Sequence, residues 1–179
     1  KEGLSVTDDE VYFVLKNTAG AFSTITTQKY KDVYENQKWN FAVKVLPESY
    51  PNLGIVSGTA GHRVEFHGYN AIGDQIVNSF NLSSPVSSGA KFLSKKKRLY
   101  IGAHRENFTG SLLQGTNVKI SACRYWALPL ETDEIIAHTI DASNYGVFAP
   151  HENAYLFQDF KVNVPKIDTL ALNWEFSTL

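Results

Sequence analysis

Apolar and polar residues alternate one for one through much of this chain. Across residues 39–45, Trp39, Phe41, Val43 and Val45 fall on one side, and Asn40 and Lys44 on the other. A period of two places successive side chains on opposite faces of a strand, so this segment reads as a half-buried strand. Residues 63–67 repeat the pattern with Val64 and Phe66 inward, and residues 118–122 repeat it again. Further strands are predicted at 11–15, 21–27, 75–80, 99–101, 154–162 and 169–176. Clusters of Gly, Pro, Asn and Ser at 17–20, 51–54, 58–61, 83–89 and 106–110 separate them. Many short strands with regular punctuation predict an all-β fold, as an antiparallel sandwich or barrel.

One stretch breaks the period. Thr132 suits a helix cap, Asp133 and Glu134 complement the positive end of the helix dipole, and Ile135, Ile136 and Ile140 supply an apolar stripe. The reading is therefore a β protein with one short helix. Its 179 residues fit one domain, and 43% hydrophobic residues are enough for a core. Seventeen basic against eighteen acidic residues give a net charge of −1, without the positive excess of a dedicated nucleic-acid binder. The single cysteine, Cys123, excludes an internal disulfide and reads as a small core residue. No apolar run approaches the ~20 residues of a membrane helix. The chain has no methionine, which reads as a piece of a longer protein. The tripeptides starting at Asn81 and Asn107 match the glycosylation sequon, a short pattern read here as chance.

The order of motifs from residue 98 to 146 carries a resemblance. Leu99-Tyr100-Ile101-Gly102 leads through a loop to Phe108-Thr109-Gly110. Asn117-Val118-Lys119-Ile120 follows, then Leu130 and Glu134-Ile135. Upstream, residues 37–43 form a Trp-containing strand, and residues 64–68 form a strand that ends at a glycine. This succession resembles the concanavalin A-like, laminin-G-like jelly-roll family, and its GAHRENFTG variant resembles versions found in bacteriophage virion proteins. Asn117 stands where the family often has an acid, and residues 114–116 widen the preceding turn, so the family's occasional calcium site is not implied. The resemblance implies a jelly-roll sandwich over residues 1–168. Residues 169–179, with Trp174 and Phe176, are then a closing strand or the start of a similar following domain.

A glycosidase needs two carboxylates flanking one bond. Glu131, Asp133 and Glu134 come nearest, but Ile136 stands where the family's hydrolases carry a further acid, and the segment reads as a helix start. His62 and His67 lie five residues apart, so they face opposite sides of a strand. His104 sits in a polar loop, and His138 pairs with Asp141 at helical spacing; neither pattern defines a metal site. No phosphate-cradling glycine loop is present. Trp39, Trp126 and Trp174 read as core residues. The basic run 95–98 reads as a solvated turn, with an anionic-glycan or phosphate patch as its alternative. Sugars are held by a flat ring beside polar hydrogen-bonding groups, which singles out Tyr69 and Asn70 after Gly68, and His104, Arg105 and Asn107 before Phe108.

The sequence therefore predicts a non-enzymatic binding or structural module of a larger virion or extracellular protein. Its expected partner is a glycan or a protein surface, including other virion subunits, with no cofactor, metal or nucleic acid. A polysaccharide-degrading enzyme and a purely architectural assembly domain are the alternatives.

Overall fold

The computed structural model describes residues 10–17, 20–48, 61–87, 89–96, 98–115, 118–145 and 169–176. In chain order its elements are β1 (Glu10–Val11), β2 (Val14–Leu15), β3 (Ile25–Thr26), β4 (Tyr30–Lys31), β5 (Trp39–Pro47), β6 (His62–Ile72) and β7 (Gln75–Val86). There follow α1 (Gly89–Ser94), β8 (Ala103–Arg105), β9 (Leu112–Gly115), β10 (Ala122–Trp126), α2 (Thr132–Ile140), a 3₁₀ turn at Ala142–Asn144, and β11 (Leu170–Glu175). All the strand pairings are antiparallel, so the fold is all-β, as predicted. The described strands form one three-stranded sheet, β5-β6-β7, and four two-stranded ribbons; two continuous facing sheets do not form among the described residues. The strand expected at 154–162, the turns at 51–54 and 58–60, and Lys97, Asn117, Gly146 and His151 lie outside the described residues.

The central sheet follows the period of two. Val45, Val64 and Ser84 lie side by side across it, as do Val43, Phe66 and Leu82, and Phe41, Gly68 and Phe80. That face supplies Val64, Phe66, Phe80 and Val86 to the core, where they meet Ile25 and Tyr30 from the N-terminal ribbons. Phe13 is the ring at the centre, with its centroid 4.7 Å from Phe41, 4.8 Å from Trp39 and 5.9 Å from both Tyr30 and Phe80. Burying these rings supplies the main drive for folding.

The opposite face is polar and meets α2. Asn40 reaches from β5 to donate to the Ile135 carbonyl and to the Thr139 hydroxyl, both at 3.0 Å. The helix buries Ile135, Ala137 and Thr139. Its cap is Glu131 rather than Thr132: the Glu131 carboxylate accepts from the backbone at Glu134, and Glu134 accepts from the Glu131 amide at 2.6 Å. The acids of this segment therefore close the helix end, as their position in the sequence suggested.

Four segments depart from the sequence reading. Residues 89–94, between the turn read at 83–89 and the basic run at 95–98, form a second short helix, α1, whose Phe92 packs edge-on against Phe22. Residues 99–101 are not strand, and the strand expected at 118–122 begins only at Ala122. The strand expected to end at Gly68 runs on to Ile72. Gly68 is not a turn residue: a Cβ there would lie 2.2 Å from the Phe80 ring, so the missing side chain is the space that ring occupies. Gly68→Ala is expected to push Phe80 out of the core and cost about 1–3 kcal/mol. Urea unfolding followed by tryptophan fluorescence measures that loss, and an unchanged midpoint would contradict this packing.

Candidate functional site

The five candidate residues separate into two groups. Tyr69 and Asn70 lie inside β6 and are buried, at 6% and 0% exposure, so they are not the exposed loop residues expected. Asn70 donates to the Lys38 carbonyl at 2.9 Å and accepts from Asn78 at 3.2 Å, which ties together all three strands of the sheet. Burial, helped by the charge of Asp133, pushes the Tyr69 phenol up. Both residues are structural.

His104, Arg105 and Asn107 stay together and exposed. The first two lie on β8, and Asn107 lies in the loop joining it to β9. Two neighbouring residues of that loop, Asn107 and Phe108, hold positive φ values of 47° and 70°. Left-handed backbone is costly for a bulky residue such as phenylalanine and persists only when its surroundings fix it. Those surroundings are Arg98 and Tyr100. Arg98 donates to the Asn107 side-chain oxygen at 2.8 Å and lies over the Phe108 ring, 5.2 Å from its centre. The Phe108 amide donates to the Tyr100 hydroxyl at 3.3 Å, and the two rings stack at 5.1 Å. Tyr100 also meets His104 edge-on at 4.8 Å. Gly110 closes the loop by donating to the Glu106 carbonyl at 2.7 Å, and Arg105 donates to the Gly110 carbonyl at 3.3 Å.

The result is a short ridge of rings with cationic flanks. Phe108 remains 54% exposed although the loop fixes its backbone. Beside the ridge lies an open cleft of about 480 Å³ lined by Tyr100, Gly102, Ala103, His104, Gln114 and Gly115. The charge around it is one-sided. Residues 91–124 hold eight of the chain's seventeen basic residues and only one of its eighteen acids, Glu106. Whole-chain charge concealed that segregation, which a segment count would have found.

A second cleft, of about 540 Å³, is lined by Ile101, Asn173, Trp174, Glu175 and Phe176. β11 pairs with β10 in the register Cys123–Trp174 and Arg124–Asn173. Arg124 fixes this ribbon: it donates to Asn173 at 2.8 Å, to Glu175 at 3.0 Å and to the Ala142 carbonyl, and it lies over the Tyr145 ring at 4.4 Å. These bonds hold the Glu175 carboxyl below its ordinary range. Trp174 lies on the other face and is 42% exposed, so it is not the core residue expected. Trp39 is in the core, and Trp126 packs edge-on against His138. His138 bonds the Glu134 carbonyl at 2.7 Å and not Asp141, whose side chain accepts from Ser143 instead.

The densest charge cluster lies on the polar face of the central sheet. Glu65 accepts from Lys44 at 2.9 Å and from Arg63 at 2.8 Å, and lies 3.1 Å from His67 Nε2. Burial acts to raise its carboxyl, but hydrogen bonds from Arg63, Lys44 and His67, with the charge of Lys44, hold it at about 2. Burial lowers the His67 imidazole, which is fully enclosed; its Nδ1 has no hydrogen-bond partner among the described residues. A carboxylate clamped by cations is a poor proton donor or nucleophile, and Glu65 has no second acid beside it in this cluster. No group of metal-ligating side chains converges among the described residues. Cys123, half-buried, has its thiol raised by burial and so is not activated. Comparison with family models, curated proteins and solved structures finds no match to the chain.

The Glu65 cluster generates a pH dependence. Glu65 has a folded value of about 2 against an ordinary 4.5, so its stabilisation is complete above 4.5 and is lost as pH falls toward 2. His67, depressed below 6.5, acts in the same direction: below that pH the unfolded chain takes up the proton first. Urea midpoints are expected to fall steadily from pH 7 to pH 4. Glu65→Gln leaves two half-buried cations unpaired and is expected to cost about 3 kcal/mol at pH 7, with a flatter profile below pH 5. On the hairpin, a Cβ at Gly110 would lie 2.5 Å from the Glu106 carbonyl oxygen. Gly110→Ala is therefore expected to abolish the Tyr100–Phe108 ring contact in NMR cross-relaxation while leaving the global unfolding midpoint nearly unchanged.

Proposed function

We propose that this chain is a non-enzymatic attachment module that binds carbohydrate at the β8–β9 hairpin, as part of a larger virion or extracellular protein. The observation that carries this reading is the ring ridge of Tyr100, His104 and Phe108, in which Phe108 is fixed in left-handed backbone beside Arg98 and left 54% exposed. A fixed aromatic surface loses little conformational entropy when a sugar ring stacks on it. Gln114, His104 and the flanking guanidinium groups supply the polar contacts that orient a hydroxylated ligand. The jelly-roll resemblance of residues 98–146 is consistent with a glycan-binding role and with a virion setting. Of the acids weighed for hydrolysis, Glu65 is engaged in its cation cluster, and Glu131 and Glu134 in the helix cap.

Protein docking is the second reading. Leu112 and Leu113 are neighbours on β9, at the register shift beside Arg105, and are both 55% exposed. An exposed pair of leucines suits a protein surface.

A glycan array followed by calorimetry tests the proposal. Binding is expected, stronger for acidic than for neutral glycans and weaker with added salt because of the basic segment. Phe108→Ala and Tyr100→Ala are each expected to weaken it about tenfold or more. A folded protein that binds no glycan above background would contradict the carbohydrate reading.

A further inference from the structure

We infer that Trp174 forms a second sugar subsite continuous with the hairpin, so that the ligand is an extended oligosaccharide chain rather than a terminal sugar. This inference builds on the carbohydrate reading above. Its geometric basis is the segment between the two clefts. Tyr100 lines the hairpin cleft and Ile101, the next residue, lines the β11 cleft. Neighbouring Cα atoms are about 3.8 Å apart, so a lining residue of one cleft lies a single step along the chain from a lining residue of the other.

The far cleft has the composition of a sugar subsite. Trp174 and Phe176 offer ring surface at 42% and 37% exposure on the ribbon face away from Arg124, and residues Asn173 and Glu175 complete the lining of the cleft. It is also pre-organised. Arg124 is itself only 7% exposed at its side chain, and it pins Asn173 and Glu175 from the opposite face of the ribbon through the bonds already described. An aromatic residue on a ribbon fixed in this way costs little to order on binding. The two ends also differ in charge: Arg98 lies over Phe108 and Arg105 bonds the loop at Gly110 on the hairpin, and Glu175 borders the far cleft. An acidic sugar unit therefore suits the hairpin end, and a neutral unit suits the Trp174 end.

Two subsites joined in one ligand bind with an effective concentration that a short ligand cannot reach, so chain length is the readout. The probes are size-fractionated oligogalacturonates and cello-oligosaccharides, from dimers to octamers, titrated by calorimetry into the whole chain. Affinity is expected to rise with length and then level off. Trp174→Ala should reduce octamer affinity about tenfold, close to the dimer value, and leave dimer affinity unchanged. Trp174→Phe, which keeps a ring, should recover most of the gain. Phe108→Ala should weaken every length. Circular dichroism and the Tyr145 ring-current shifts confirm that the variants keep the ribbon folded. Length-independent binding, or a Trp174→Ala loss equal at all lengths, would overturn the second subsite and leave the hairpin reading intact. Failure of every probe to bind would overturn both.

Discussion

Strand β6 can sit in only one register, and the rest of the described structure depends on it. Its even positions bury Val64 and Phe66 among aromatic rings, and its odd positions place Glu65 among Lys44, Arg63 and His67. A slip of one residue would drive a carboxylate into the ring cluster and expose two core side chains, and both changes are strongly unfavourable. The charge cluster thus contributes specificity of pairing whatever its net contribution to stability. A salt bridge that is mostly buried is weak evidence for stability, because desolvation offsets much of the attraction.

That arrangement also determines which side chains are left at the surface. On the central sheet, Glu65 and Asn70 bond within the sheet and Asn40 bonds to α2, and Val64, Phe66 and Phe80 are buried in the core. Among the described residues, the β8–β9 hairpin and the β10–β11 ribbon combine exposed rings with nearby polar groups. On the hairpin, backbone strain at Asn107 and Phe108 is held by Arg98 and Tyr100, so the loop resembles a preformed site more than an ordinary connection. On the ribbon, Arg124 uses three donor nitrogens and its planar face to fix one side, which leaves Trp174 on the other.

The central strands were legible because one face is buried and the other is not, which is the condition that writes a period of two into a sequence. The long helix was legible from its acidic start and isoleucine stripe. The failures are equally physical. Gly68 looks like a turn because glycine usually marks one, yet here it accommodates a ring from the neighbouring strand; Tyr69 and Asn70 were misplaced with it. The β9 strand escaped notice because Leu112 and Leu113 are both exposed, so no alternation exists to detect. α1 begins at a glycine, has no acid in its first turn, and runs into a lysine tract, so its signals read as loop. His104, Arg105 and Asn107 were legible as candidates, but their organising partners, Arg98 and Tyr100, were hidden in a segment read as turn and strand. Trp174 was hidden by the general rule that tryptophans in strands are buried.

The central functional claim is that ligand meets the protein on the ring ridge. Amide chemical-shift mapping during titration with an oligosaccharide addresses it directly, because each residue reports separately. The account predicts that the largest shifts fall on Tyr100, His104, Phe108 and Gln114, with Trp174 following as the ligand lengthens. Shifts centred on β5–β7, with the hairpin amides unmoved, would contradict it.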